Sequence, residues 1–164
     1  MTLMLTLKGI VIQILRWCLT IMILGMTLLI LGQIFWRYVI EAPFVWSEEL
    51  SLLLMTWITF LGSALLLMRQ EHLGIEVFVE KLPEPAARLC LLVGQTLVLI
   101  FCLCLTYGAW ILVEKTRNSI TPGLQISVAW QYASGLVGGI LMSVVTIEKL
   151  ALILSGRDIS VLQK

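Results

Sequence analysis

The sequence predicts an all-α membrane protein with four transmembrane helices. Of 164 residues, 60% are hydrophobic and 13% charged, whereas soluble domains run at roughly 45–50% and about 25%. A chain this short has too little interior to hide that excess from water, and the bilayer is the solvent that accepts it. The charges are confined to the edges of four long uncharged gaps. Aromatic side chains gather near the same edges.

The gaps hold 20 positions between Arg16 and Arg37, 19 between Glu49 and Arg69, 25 between Arg88 and Glu114, and 30 between Arg117 and Glu148. A spanning helix needs about 20 apolar residues at 1.5 Å each. The spans therefore fall at about 17–38, 48–69, 87–113 and 124–153, within a single membrane domain over 1–164.

Trp17 and Trp36 bracket the first span, 19 residues or roughly 28 Å of helix apart, close to the hydrocarbon thickness. Lys8 and Arg16 precede the span, as in a signal peptide. The run is too long for one, however, and lacks an Ala-x-Ala site, so no cleavage is expected. The first 15 residues, rich in Leu and Ile, are expected to lie along the membrane surface before the chain turns in.

The loop to the second span runs from Arg37 through Pro43 and Trp46 to Ser47, Glu48 and Glu49. Read locally, Ser47 caps the second helix, the two carboxylates favour its positive end, and Arg37 and Trp46 anchor at the interface. Read functionally, Arg37, Glu48 and Glu49 form an ion-paired contact with another subunit. Both readings stay open. Trp57, nearer mid-span, reads as a packing residue. Arg69 and His72 follow the second span, His72 as an interfacial anchor rather than a metal ligand or catalyst.

Between the second and third spans, Ile75, Phe78, Val79 and Leu82 recur at i, i+3, i+4 and i+7, with Glu76 and Glu80 off the stripe. This predicts a short amphipathic interfacial helix at about 73–82. An alternating strand also fits the pattern but would be poorly satisfied at a membrane. Pro83-Glu84-Pro85 ends the element, and Pro85 suits the first turn of the third helix.

Thr121-Pro122-Gly123 signals a turn, so the fourth helix is expected to start near Leu124 and run to about Leu154. Within it Gly135 and Gly139 form a GxxxG, with Gly138 and Ser143 as further small positions. This spacing lets helices approach closely in lipid, either within the chain or against a partner subunit. Thr56, Thr59, Ser63, Gln131 and Ser134 are candidates for hydrogen bonds between helices.

With four spans, both termini and the middle loop share a side. That side holds Lys8, Arg16, Arg69, Lys81, Arg88, Lys149, Arg157 and Lys164, against Arg37, Lys115 and Arg117 on the other. Eight basic residues against three predict cytoplasmic termini.

The chemistry is sparse. No Asp, Glu, Lys, Arg or His falls in the interior of a predicted span, whereas such residues usually mark ion paths and proton relays. The four prolines sit at loops or span ends rather than breaking helices near the midplane, as carriers often do. The four cysteines, Cys18, Cys90, Cys102 and Cys104, match no zinc or redox spacing and read as small packing residues. There is one histidine and no phosphate loop or nucleophile–base pair. The net charge of +1 gives no case for nucleic acid. The chain is expected not to be an enzyme and to need no cofactor of its own.

Arg37-Tyr38, Trp46-Ser47-Glu48-Glu49-Leu50, Phe60-Leu61-Gly62-Ser63-Ala64, Arg69 and His72, followed by Pro122, Leu124, Ile126, Trp130, Tyr132, Gly138 and Leu141-Met142, form an ordered pattern over about residues 15–152. It resembles the small membrane subunit (DctQ type) of tripartite ATP-independent periplasmic (TRAP) transporters. Many relatives carry a Pro shortly before the fourth-helix Trp, where this chain has Ser127-Val128-Ala129. The resemblance implies an inner-membrane subunit partnered by a large multi-span subunit, which carries substrate and sodium, and by a periplasmic substrate-binding protein. The substrates implied are organic acids such as C4-dicarboxylates, sialic acid and other sugar or keto acids. Arg37, Glu48, Glu49, Gly62 and His72 carry over as structural or interface positions. The alternatives are a small channel or carrier acting as an oligomer, and a membrane assembly factor.

Overall fold

The computed structural model describes residues 2–41, 45–69 and 84–154. They form four long helices: α1 (Thr2–Phe35), α2 (Val45–Met68), α3 (Glu84–Thr116) and α4 (Ala129–Leu154). Four segments are long and apolar enough to cross a membrane: Gly9–Ile40, which continues α1 into the turn after it, Trp46–Met68, Ala86–Thr116 and Ala129–Leu154. The interfacial helix expected at 73–82 and His72 lie outside the described residues.

Three boundaries differ from the sequence reading. The first 15 residues do not turn along the surface, because α1 is unbroken from Thr2 to Phe35. The Leu- and Ile-rich stretch has no Pro or turn pair to interrupt it, and the helix ends instead in a π-helical turn, Trp36–Ile40, closed by left-handed Glu41 at φ 57°. Next, α2 starts at Val45, so Ser47 sits in its first turn rather than capping it. Last, α4 starts at Ala129, not near Leu124. The intervening residues fold as a compact loop with an antiparallel bridge between Ile120 and Ser127. Thr121 N–H donates to Ile126 O at 2.9 Å and Val128 N–H to Ser119 O at 2.9 Å, so these backbone groups are satisfied without helix.

The helices pack chiefly in the order α1, α2, α4, α3. This is a row, not a closed four-helix bundle. Its centre is α4, whose buried face comprises Ser134, Gly135, Gly138, Gly139, Met142, Ser143, Val145, Thr146, Lys149 and Ile153. One apolar cluster joins α2, α3 and α4 through Ala64, Leu67, Cys102, Met142 and Val145. A second joins α1 to α2 through Leu15, Leu19 and Leu61, with Trp57 and Leu141 packed against it. Elsewhere large apolar side chains point outward, among them Ile14, Ile21, Leu28 and Leu31 on α1 and Leu89, Val93, Leu97 and Phe101 on α3. In water such surface would be untenable; in lipid it is the expected exterior.

The span hydroxyls expected to bond between helices bond within them. Thr56 donates to Leu53 O, Thr59 to Met55 O, Ser63 to Thr59 O and Ser134 to Gln131 O, at 2.6–2.8 Å. A carbonyl one turn back is always within reach of a helical Ser or Thr, whereas a partner on another helix has to be placed by packing. Contacts between helices come from other groups. Trp57 Nε1–H donates to Trp130 O at 3.2 Å, and the Arg88 guanidinium donates to Ile153 O at 3.0 Å, satisfying a carbonyl at the C-terminal end of α4.

Candidate functional site

Among the described residues, several polar side chains placed by tertiary contacts lie at the end of the row that carries the α3–α4 loop. Glu49, in the second turn of α2, reaches across to the α3–α4 loop. Its carboxylate accepts the Gly123 N–H at 2.9 Å and the Leu124 N–H at 2.8 Å. A carboxylate taking two adjacent backbone N–H groups is a charge-assisted, two-point hold. The close approach requires Gly123, since a Cβ there would stand 2.9 Å from the Trp46 Cα and 3.0 Å from the Glu49 side chain. Gln125, left-handed at φ 54°, reverses the chain just after this contact, and its N–H donates to Thr121 O at 3.0 Å.

Ser127 completes the loop. Its Oγ accepts the Ala129 N–H at 3.2 Å, satisfying an orphan donor of the first turn of α4. The same hydroxyl donates to Arg117 O at 2.8 Å, tying the end of α3 to the start of α4.

Glu48 faces the other way. It is exposed, and its Oε1 accepts from Gln33 Nε2 at 3.3 Å, joining α2 to α1. Arg37 lies in the π-helical turn, exposed. The two glutamates and Arg37 thus share one end: Glu49 is held inside the chain, and Glu48 and Arg37 remain at the surface. Trp46 is 41% exposed beside the Gly123 contact.

The other sequence candidates lie elsewhere. Gly135 and Gly139 are in the core. A Cβ on Gly135 would touch the Phe60 ring at 3.4 Å and Ala109 at 3.5 Å, and one on Gly139 would collide with Thr106 and Leu105. Gly138 is crowded as well, a Cβ there standing 2.7 Å from the Phe60 Cβ. These glycines pack α2 and α3 onto α4 within one chain. Gly62, by contrast, has open space: a Cβ there meets nothing within 4 Å. Arg69, exposed, closes the opposite end of α2, its N–H on Leu65 O at 3.0 Å.

Sequence reasoning assigned Glu49 to a helix terminus and missed its partners. In the sequence Gly123 reads only as a turn residue, and nothing near it points to Glu49, 74 positions away.

Among the described residues no three His, Cys, Asp or Glu side chains come together to hold a metal. The arrangement orders the loop surface at this end of the helices.

Residues 26–156 match the family model of the DctQ component of tripartite ATP-independent periplasmic transporters. The chain belongs to the DctQ family. It is 34% identical over 125 residues to the sialic acid TRAP transporter small permease protein SiaQ of Vibrio cholerae, covering 72% of this chain and 68% of that one. It is 27% identical over 86 residues to the C4-dicarboxylate TRAP transporter small permease protein DctQ of the same organism, covering 52% and 37%. A third likeness is of another kind. The sialic acid TRAP transporter permease protein SiaT of Haemophilus influenzae is 32% identical over 72 residues, 44% of this chain but only 12% of that much longer protein. The DctQ chain described here is accordingly a small permease subunit of a TRAP transporter, and its structure is a multi-pass helical membrane fold.

Proposed function

We propose that this subunit braces a large multi-span permease subunit, which imports an organic acid with sodium after delivery by a periplasmic binding protein. Sodium and substrate bind the large subunit, and this chain holds no transport site. The single observation that carries the reading is the row. Its contacts between helices are closed by glycines and apolar side chains along α4, while α1 and α3 keep apolar faces turned outward. A row of this kind can widen a neighbour's fixed wall but encloses no polar path of its own.

The SiaT likeness supports the partner, since there a small-subunit-like segment is part of a far longer permease. The excess of basic residues beside the termini supports cytoplasmic ends in a bacterial inner membrane, with the Glu49 loop facing the periplasm. Relatives named for sialic acid and for C4-dicarboxylates support the substrate class. Extraction in mild detergent with a tag on this chain tests the reading: one large multi-span protein should co-purify in fixed ratio. Substrate accumulation by vesicles holding this chain alone would overturn it in favour of an oligomeric carrier.

A further inference from the structure

Two polar side chains at the seam between α3 and α4, Gln95 and Lys149, have no role so far. On α3, Arg88, Gln95, Cys102 and Ala109 stand seven residues apart, the spacing that keeps side chains on one face of a helix along its length. The other three all meet α4. A Cβ on Gly135 would touch Ala109 at 3.5 Å, Cys102 is buried in one cluster with Met142 and Val145, and the Arg88 guanidinium reaches Ile153 O at 3.0 Å. The two helices therefore run antiparallel, and this register sets Gln95 against the stretch of α4 between Val145 and Ile153. The buried polar residues of that stretch are Thr146 and Lys149.

Thr146 is committed to its own helix, its hydroxyl donating to Met142 O at 2.8 Å. The Gln95 Oε1 is buried and has no hydrogen-bond partner among the described residues. A buried amide oxygen without a donor is costly, and more so inside a bilayer, where bulk water does not reach. Lys149 is only 7% exposed, a cation largely withdrawn from water, and such a group is stable only in polar company. It is engaged elsewhere as well, and an ammonium has three N–H donors to share. An acceptor and a cation that face one seam without touching are the partners that a buried water joins.

We propose that one water molecule is bound in the α3–α4 seam, donating to Gln95 Oε1 and accepting from the Lys149 ammonium, and that it holds the two helices in register. Sliding either helix by one turn would leave both polar groups facing apolar side chains, so the pair penalises every other alignment, as a single polar residue does in the core of a coiled coil. The site is built from contacts within this chain and does not depend on the bracing role.

Water-edited solid-state NMR on the full chain in phospholipid bilayers tests it. The Gln95 side-chain amide should receive magnetisation from water. Thr96, exposed on α3 at the same depth, should not. A double-mutant cycle tests the link to α4: Gln95→Leu and Lys149→Met should each lower the folding equilibrium constant, and the pair should fall short of the product of the two effects by about threefold, the size of a polar contact between membrane helices. Gln95→Glu needs no change at Lys149. It sets a carboxylate toward the cation and should fold as well as the parent chain. A dry Gln95 amide would overturn the proposal, as would equal water transfer to Gln95 and Thr96, which would mean water entering from outside at that depth. So would independent effects of Gln95→Leu and Lys149→Met, or a tenfold or greater loss of folding in Gln95→Glu.

Discussion

Gly138 and Gly62 carry the same side chain, a hydrogen, for different reasons. Gly138 faces the Phe60 backbone, where a Cβ would come within 3.1 Å of a carbonyl oxygen that cannot swing away. Gly138→Ala should therefore push α2 from α4 and lower unfolding stability in detergent by about 1–3 kcal/mol, the usual cost of overpacking. Gly62→Ala meets nothing and should be neutral or slightly stabilising, within about 1 kcal/mol, because alanine is the better helix former. Thermal unfolding of the two variants side by side checks both. On the interface reading of Gly62 that the family resemblance implies, Gly62→Leu should leave the isolated chain folded yet reduce co-purification. Glu41 is a third case. Its left-handed φ of 57° suits Gly or Asn, so Glu41→Asn should be tolerated and Glu41→Val should lower stability by about 1–2 kcal/mol.

At the scale of elements, the α3–α4 loop decides where α4 begins. The sequence showed a turn at Thr121-Pro122-Gly123 but not the ladder that carries it on to Ser127. That ladder depends on the Glu49 carboxylate, 74 and 75 positions away from the N–H groups it holds. A contact so distant in sequence leaves no local signature, which is why the sequence places the helix start near Leu124, five residues before Ala129. Where the signal was local, the reading came close: the four uncharged gaps locate four helices, and Pro85 falls in the first turn of α3. Glu49→Gln keeps one acceptor oxygen and loses the other. Hydrogen exchange should accelerate at the Gly123 and Leu124 amides and stay unchanged at Met142 and Val145, deep in α4. Equal protection in both proteins would mean that the loop is ordered by its own bridge alone.

At the scale of the whole molecule, the order in which the helices neighbour one another was the least legible feature. In water, burial paints one face of a helix apolar and leaves the other polar. In lipid both faces are apolar, so α1 and α3 look alike from every side and only small residues mark a contact. The GxxxG on α4 gave that mark and could not say which helix answered it; Phe60 of α2 and Thr106 of α3 do. The row makes a prediction about the assembly. Cells lacking this subunit should lose uptake of the transported acid, while the periplasmic binding protein keeps its affinity for that acid in solution. Uptake at the normal rate in vesicles that hold the large subunit without this one would remove the bracing role.

The hold of Glu49 on Gly123 and Leu124 has a further consequence. A surface loop usually surrenders motional freedom when something lands on it, and that loss weakens the complex. Here the surrender took place during folding. A soluble protein alighting on this end would meet a shape already set, so mutations that soften the loop should weaken docking even where they remove no residue that is touched.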